Sequence, residues 1–256
     1  ESEATGNQRY KDSAFSCCNQ VNERFFMEYL EFERILSAKR MRRYKEAANG
    51  DTRKAMALYR YNLRLSQEMF TIVSCFEVAL RNAIDGLLVT TLGNDWLRDS
   101  VQDDGIFSNG RMNETRKIIE KAYNRLNRQG IFSHSKLIAE MEFGVWKYMY
   151  SSLQYRATGQ CLLRAFPNKP RSSAAIQYNN TYIFNELDKV NSLRNRIAHH
   201  EPICFRLHAS KIDTSYIVNE YQKIQTLFSW MGIDSRSMLY GLDHVQSVCT
   251  KINALK

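Results

Sequence analysis

The stretch Asp51–Leu92 reads DTRKAMALYRYNLRLSQEMFTIVSCFEVALRNAIDGLLVTTL. Its apolar side chains recur every three or four positions, which is the period of one face of an α-helix. This stripe consists of Leu65, Met69, Ile72, Phe76, Leu80, Ala83 and Leu87. Asp51 is a residue type favoured at a helix N-cap, and Gly93 follows the stretch. The pattern therefore predicts one long helix, or two helices that meet near Ser66, as the element that organises the fold.

The rest of the chain also favours helices over strands. Only three prolines and eleven glycines occur in 256 residues, and this shortage of breakers is typical of long helices. Amphipathic periodicity predicts helices over residues 29–48, 114–128, 136–155, 178–200, 211–230 and 235–254, and a short helical piece over 161–166. Residues 93–113 are predicted as a loop, and residues 203–207 as a short extended piece. We expect an all-α bundle with the dense apolar helix 136–155 near its centre.

Composition narrows the class of protein and of partner. The net charge of +9 suggests an anionic partner, with nucleic acid first and a membrane surface second. No run of about 18 uncharged apolar residues occurs, so we expect no transmembrane helix. Apart from the adjacent Cys17 and Cys18, the six cysteines are isolated and show no zinc-binding spacing. We interpret them as reduced thiols of a cytoplasmic protein and predict neither a metal site nor a cofactor.

Residues 1–26 are interpreted separately. Residues 1–22 are polar and lack both clear periodicity and the apolar segment of a signal peptide. We expect a leader that is extended or disordered, or residues upstream of the native start, for which Met27 is a candidate. Residues 27–256 are expected to form a single helical domain.

A second stretch, residues 191–202, reads NSLRNRIAHHEP and ends the helix predicted over 178–200. Arg194 lies in the apolar stripe of that helix, at a position where a core residue would be expected. The apolar members of the stripe are Ile183, Leu187, Val190 and Ile197. Asn195 and His199 are four residues apart, so they share a neighbouring face. An arginine, an amide and an imidazole are thus gathered on the last turns of one helix.

These three side chains are suited to RNA cleavage by transesterification, in which a ribose 2′-OH attacks the adjacent phosphate. Histidine as a residue type has a pKa of about 6.5, which suits proton transfer near neutral pH. Arginine presents a fork of donors that fits phosphoryl oxygens. The products would carry a 2′,3′-cyclic phosphate and a 5′-OH, and DNA should resist this reaction. The alternative is structural, since a histidine at a helix end often caps carbonyl groups.

The geometry of this helix end constrains the catalytic interpretation. Pro202 disfavours a helical residue before it, so the helix should end near His199 or His200. Arg194 and His199 are five residues apart, which is about 140° around an ideal helix. Either the helix unwinds near His199, or the site is assembled from two chains by a two-fold dimer along the stripe that contains Arg194.

Several short motifs precede this helix end in the chain. They are Tyr59–Asn62 followed by Ser66, then Glu77–Asp85, Gly93–Trp96 and Glu140–Trp146. Arg194–His199 has the form R-N-x-x-x-H, and His200–Ile203 follows it directly. In this order the motifs resemble the Abi-like branch of HEPN-domain proteins, which is linked to abortive infection of bacteria by phage. The resemblance extends from about residue 29 to the C-terminus and excludes residues 1–26.

The resemblance implies a HEPN-like all-α bundle with additional helices. It also implies a metal-independent, toxin-like endoribonuclease of antiviral defence, with a composite active site at a homodimer interface. Carried over to this sequence, Arg194 and His199 are the catalytic pair and Asn195 supports them. RNA is the implied partner, with a small RNA or an antitoxin as a second one. The alternative function is a non-catalytic RNA-binding module or a scaffold for a structured small RNA.

Further charged residues are candidate RNA contacts. Glu77, Arg81 and Asp85 are spaced by four residues and predict an ion ladder along the long helix, although Arg81 and Asn82 could instead line the RNA cleft. A basic stripe could hold the RNA backbone, or could be an ordinary solvated face. It consists of Lys39, Arg40, Arg42, Arg43 and Lys45. His200 is a further, weaker candidate.

The remaining aromatic residues and histidines are given structural interpretations first. Three tyrosines could stack on bases or could form core behind the basic stripe, namely Tyr44, Tyr59 and Tyr61. Trp96 and Trp146 are expected in the core. Surface or capping roles are expected for His134, His208 and His244.

Overall fold

The protein is an all-α bundle in which one long helix contacts most of the others. The computed structural model describes residues 27–256 and contains twelve α-helices in that range. They are α1 (Tyr29–Leu36), α2 (Ala38–Ala47), α3 (Thr52–Leu92), α4 (Trp96–Asp99), α5 (Asn113–Arg128), α6 (His134–Glu140), α7 (Phe143–Tyr148), α8 (Ser152–Ala157), α9 (Asn180–Ala198), α10 (Ser215–Trp230), α11 (Ser235–Met238) and α12 (Val245–Asn253). Two 3-10 helices cover Gly110–Met112 and Leu162–Ala165. The interpretation of residues 1–26 lies outside the described residues.

The predicted central helix is continuous. The Asp51 carboxylate accepts the backbone N–H of Lys54 at 3.0 Å and so caps α3, which confirms its predicted role. The apolar stripe from Leu65 to Leu80 is fully buried, whereas Ala83 and Leu87 are only partly buried. Ile84 and Leu88 take their place in the core. A stripe of 3.6-residue period drifts around a helix of this length, which explains the exchange.

The basic segment predicted as one helix over residues 29–48 is two helices. Ser37 has a φ of 78°, outside the helical region, and separates α1 from α2. Its hydroxyl accepts the backbone N–H of Arg40 at 3.3 Å and caps α2. A serine competes with the helix for backbone donors in this way, so the chain turns here although its periodicity continues.

Residues 136–155 are also shorter helices instead of the single predicted one. The backbone is extended at Met141, Glu142 and Ser151, which separates α6, α7 and α8. The expected central position is confirmed, because the large side chains of this segment are buried. Phe143, Trp146 and Met149 have no exposed surface. The apolar residues of this segment would lie on several faces of one straight helix. Dividing the segment into short helices lets all of these faces turn towards the same core.

The other elements follow the prediction with local differences. The predicted loop over residues 93–113 contains α4 and a 3-10 turn, and the last predicted helix is divided into α11 and α12. The extended piece near residue 205 is an isolated antiparallel bridge between Phe205 and Ile212. In residues 27–256, none of the helices combines the length and the apolar character needed to cross a bilayer. The four cysteines in this range, Cys75, Cys161, Cys204 and Cys249, are free.

Candidate active site at the end of α9

The end of α9 has the backbone of a Schellman motif, in which the last helical carbonyls are capped by a left-handed turn. The N–H of His200 donates to the carbonyl of Ile197, and the N–H of Glu201 donates to that of Arg196, both at 2.9 Å. His200 has a φ of 55°, the left-handed position that glycine usually takes. The predicted end of the helix at His199 or His200 is therefore confirmed, and His199 is its C-cap.

Arg194 is turned towards the long helix α3. Its side chain is half-buried, and its Nε atom is buried without a hydrogen-bond partner within residues 27–256. The Glu77 carboxyl on α3 is close enough to sense its charge. Burial raises the pKa of Glu77, while the positive charges of Arg194 and then of Arg81 oppose that rise. Arg194, Arg81 and Glu77 thus form one partly buried charged cluster between α9 and α3.

Asn195 and His199 lie on the outer side of the same helix end. Both residues are exposed, and the backbone N–H of His199 donates to the Asn195 carbonyl at 2.9 Å. Within the described part of the chain, no hydrogen bond joins the side chains of Arg194, Asn195 and His199. The structure therefore brings the three residues to one helix end but divides them between an inner and an outer side.

The predicted dimer geometry needs correction. The stripe that contains Arg194 is buried against other helices of the same chain, with Ile183, Leu187 and Val190 at 0% exposure. Contacts of α9 with α3, α7 and α10 cover it. A two-fold dimer along this stripe is therefore wrong, and the exposed side of this helix end is the one that carries Asn195 and His199.

The predicted ion ladder on α3 is wrong. The Asp85 carboxylate accepts the indole N–H of Trp96 and lies against Nε2 of His134, each at 2.7 Å. Arg81 forms no ion pair within residues 27–256, and its Nε is buried without a partner. Packing of α4 and α6 against α3 supplies Asp85 with these partners. Arg81 instead shares the environment of Arg194, while Asn82 is exposed, and a place for these two residues in an RNA cleft stays a prediction.

Each of the three histidines with a predicted structural role has its own environment. The surface or capping role expected for His134 is wrong, because its ring lies against Asp85 and is half-buried at the start of α6. His244 is exposed, which confirms its expected surface position, and it precedes α12 without a side-chain cap hydrogen bond within the described residues. Its backbone N–H donates to the Glu68 carboxylate at 3.1 Å. His208 is exposed, which confirms its expected surface position.

The basic helix α2 lies beside the turn that follows the motif. The Arg40 guanidinium donates to the His200 carbonyl at 2.8 Å, and Arg43 donates to the Ala209 carbonyl at 2.6 Å. Both arginines therefore hold this turn in place. Arg42 pairs with Glu46 at 3.8 Å on the surface, and Lys39 is exposed without an ion pair among the described residues. Lys39, Arg42 and Lys45, which lies over the Tyr29 ring, are exposed members of the predicted stripe.

The aromatic residues near α2 belong to the core. Tyr44 and Tyr59 are 2% and 7% exposed, and their ring centroids lie 5.1 Å apart in an edge-on arrangement. Their alternative role as base-stacking platforms is therefore excluded, while Tyr61 is half-buried. Trp96 and Trp146 are buried as expected.

Two residues that hold the site together were not identified as functional from sequence. The buried Asn62 side chain accepts the backbone N–H groups of Ile203 and Cys204 at 2.9 and 3.2 Å, which fixes the segment after the motif to α3. Arg196 donates to the Glu201 carboxylate and to the Pro202 carbonyl, both at 3.2 Å. Asn62 belongs to the motif Tyr59–Asn62 quoted above, and this motif was the sign in the sequence that Asn62 could be functional.

The charged residues of the site do not form a metal centre. Within residues 27–256, no group of three or more histidine, cysteine, aspartate or glutamate side chains is arranged to hold a metal ion.

A comparison with protein-family models gives one match, to the family described as Abi-like protein, over residues 20–204. The matched region begins earlier than residue 29 and ends directly after the turn that follows α9, so it leaves out α10 to α12. Searches of curated proteins and of solved structures gave no match.

Proposed function

The chain belongs to the Abi-like protein family, and from this premise we propose that it is a metal-independent endoribonuclease of HEPN type. The family name points to abortive infection, in which an infected bacterium is disabled before phage can spread. In this proposal the protein acts in the cytoplasm as a toxin that cuts RNA. The observation that carries the proposal is the position of Arg194, Asn195 and His199 on the last two turns of α9.

The proposed reaction is transesterification within the RNA strand. The ribose 2′-OH attacks the adjacent phosphate, and His199 moves the proton, because an exposed imidazole at the helix end can reach a bound strand. Arg194 stabilises the negative charge that develops on the phosphoryl oxygens through its terminal nitrogens. The leaving 5′-oxygen takes up a proton, so the products are a 2′,3′-cyclic phosphate and a 5′-OH. Asn195 lies on the face of His199 and positions the imidazole or the strand.

The inward position of Arg194 and the outward position of His199 support a composite site. In a homodimer, His199 of one protomer would meet the phosphate held by the partner subunit, with the two chains approaching from the side of Asn195 and His199. A monomeric mass at micromolar concentration, with cleavage activity unaffected by dilution, would contradict the composite site.

The experiment that tests the proposal is cleavage of single-stranded RNA in the presence of EDTA. We expect His199→Asn to lower the cleavage rate by about 10²- to 10⁴-fold, the usual contribution of a positioned proton-transfer group. Arg194→Ala should lower it by about 10²- to 10³-fold, as the loss of one group that stabilises developing charge does. His208→Asn is the matched control, since His208 is also an exposed histidine near the site and its left-handed φ of 58° suits asparagine. End-group analysis should find the cyclic phosphate.

Two outcomes would refute this mechanism. Undiminished cleavage by His199→Asn would exclude the proposed role of the imidazole. Loss of wild-type cleavage on chelation would indicate a metal-dependent reaction instead.

The second candidate function is a non-catalytic RNA-binding module or a scaffold for a structured small RNA. It is favoured by the placement of α2 against the turn after the motif, which puts Lys39 and Arg42 on the surface near α9. Copurification of the protein with a discrete intact RNA that it never cuts would favour this function. An antitoxin or small-RNA partner is compatible with both functions.

A further inference from the structure

An open cavity of about 1020 Å³ lies between α5 and α7, and most residues of the motif Glu140–Trp146 line it. One wall is formed by α5 and the 3-10 turn before it, and the other by the first residues of α7 and the segment before it. Its volume is at the upper end of the range of about 300–1000 Å³ that is typical of small-ligand sites.

The cavity has unneutralised positive charge. Arg111, Lys121 and Arg128 line it, and none of them pairs with a carboxylate within residues 27–256. The fourth basic residue, Arg125, pairs with Glu140 across the cavity. The cavity is also lined by the carboxylates of Glu114, which pairs with Lys117, and of Glu142. Its four basic and three acidic side chains leave a net positive charge, which favours a phosphate.

The other part of the cavity surface is apolar and aromatic. Ile118 and Tyr148 are large side chains that are 48% and 47% exposed, and both line the cavity. Met141 and Val145 are buried beneath it. Exposed apolar and aromatic surface beside free cations is the combination that binds a nucleotide, since the base stacks on the aromatic surface and the phosphate meets the cations.

The cavity adjoins the charged cluster of Arg194. Helices α7 and α9 run antiparallel, because Tyr148 packs on Phe184 with ring centroids 5.7 Å apart and Lys147 contacts Asp188 at 2.8 Å, nearer the C-terminal end of α9. At the start of α7, Glu142 lines the cavity and its charge acts on Glu77, as that of Arg194 does. The cavity therefore extends along α7 from Tyr148 to Glu142, and α7 is a helix that packs against α9.

We infer that this cavity binds one nucleotide of the RNA strand that flanks the phosphate held at Arg194. The base lies against Ile118 and Tyr148, and the 5′- or 3′-phosphate contacts Lys121 and its basic neighbours. The inference rests on the proposed function, since it takes RNA as the source of the nucleotide and Arg194 as the residue that holds the neighbouring phosphate. The binding chemistry is that of a nucleoside phosphate.

The test fills the cavity with a side chain that the fold can accept. Gly144 lines the cavity in α7, has helical backbone, and a Cβ atom added there would meet nothing within 4 Å. Gly144→Leu improves helix propensity while it occupies the space. Gly86→Leu is the matched control, because Gly86 is a helical glycine of α3 with equally open surroundings that does not line the cavity. Circular dichroism of both variants checks the fold.

The binding probe is a fluorescent single-stranded RNA with 2′-O-methyl groups, which cannot be cleaved by the proposed route. We expect Gly144→Leu to weaken its binding by about tenfold, as loss of one stacked base would, and Gly86→Leu to leave it unchanged.

A second pair of variants tests the same site if Gly144→Leu does not fold. Lys121→Ala should weaken binding, whereas Lys117→Ala should not, because Lys117 is on the same helix but pairs with Glu114 and does not line the cavity.

Three results show whether the ligand is a free nucleotide or RNA, and which of the two proposals holds. Binding of adenosine monophosphate that Gly144→Leu abolishes would support the nucleotide site with free nucleotides as its ligand, and binding of the strand alone would support RNA. RNA binding that depends on the cavity, without any cleavage by wild type, would keep this inference and refute the ribonuclease proposal. Equal binding and cleavage by wild type, Gly144→Leu and Lys121→Ala would overturn the inference while the ribonuclease proposal stood.

Discussion

Among single residues, Arg194 has the environment that most affects the site. A guanidinium with a buried Nε and no hydrogen-bond acceptor is unfavourable unless other charges compensate. Glu77 is the nearby carboxyl that senses this charge, and the backbone N–H of Phe143 also donates to it. Arg81 adds a second buried Nε without a partner. Burial of such a cluster lowers the stability of the folded protein. The cluster also places positive charge next to the exposed side chains of Asn195 and His199.

The raised pKa of Glu77 predicts a specific pH dependence of stability. Burial, the largest cause, favours the protonated carboxyl in the folded protein. Glu77 therefore contributes stability that is fully present below its unfolded pKa of about 4.3 and is lost as the pH rises through the higher folded pKa. The free energy of unfolding of Glu77→Gln, taken relative to that of wild type, should therefore be higher at pH 7 than at pH 4. Urea titrations at both pH values measure this, and parallel pH profiles would contradict it.

At the scale of elements, the site depends on how the segment after α9 is attached. Asn62 on α3 holds the backbone of Ile203 and Cys204, and Arg40 on α2 holds the carbonyl of His200. Three helices thus converge on a turn whose own backbone is left-handed at His200. The position of His199 is therefore set by contacts that begin far away in the chain.

The attachment by Asn62 predicts a large loss of stability on its removal. Asn62→Ala would leave two buried backbone N–H groups without an acceptor, so we expect the free energy of unfolding to fall by about 2–4 kcal/mol. Asn82→Ala is the control on the same helix, because Asn82 is exposed, and it should change stability by less than about 0.5 kcal/mol. Chemical denaturation gives both values. Equal stability of the two variants would show that Asn62 does not hold this segment.

At the scale of the whole molecule, the net charge of +9 matters through its distribution. Several basic residues already bind groups of the same chain. Arg43 donates to the Ala209 carbonyl, and Lys147 donates to the Asp188 carboxylate. Lys39, Arg42 and Lys45 on α2 and the basic residues of the cavity are exposed to an anionic partner. The helix α2 lies against the turn after α9, and the cavity lies along α7, which packs against α9.

This distribution predicts how RNA binding responds to salt. The double variant Lys39→Ala/Arg42→Ala should lower the slope of log affinity against log salt by about 1.4, since each neutralised phosphate of a single strand contributes about 0.7. Lys169→Ala/Arg171→Ala has the same change in net charge at another place and is the control. Fluorescence anisotropy at several salt concentrations measures both slopes. An equal decrease in the two variants would show that net charge alone, and not α2, determines the response.

Sequence periodicity was sufficient where the physical cause is local. The length of α3, its cap at Asp51 and the end of α9 before Pro202 all depend on residues within a few positions of each other. The breaks at Ser37 and at Met141–Glu142 were missed, because there the core and side-chain capping override a continuous apolar pattern. Arg194, Asn195 and His199 were identified from spacing and motif order alone.

The chain's own sequence thus determined an all-α fold and the three polar residues at one helix end. Only the tertiary structure decided which way Arg194 turns, that Asp85 meets a histidine 49 residues away, and that Asn62 holds a segment 141 residues away. It also created the cavity beside α7. The physical reason is that helix periodicity records which side of an element is buried, but not which element buries it. Partners distant in the chain are chosen by packing and by the need to satisfy buried polar groups.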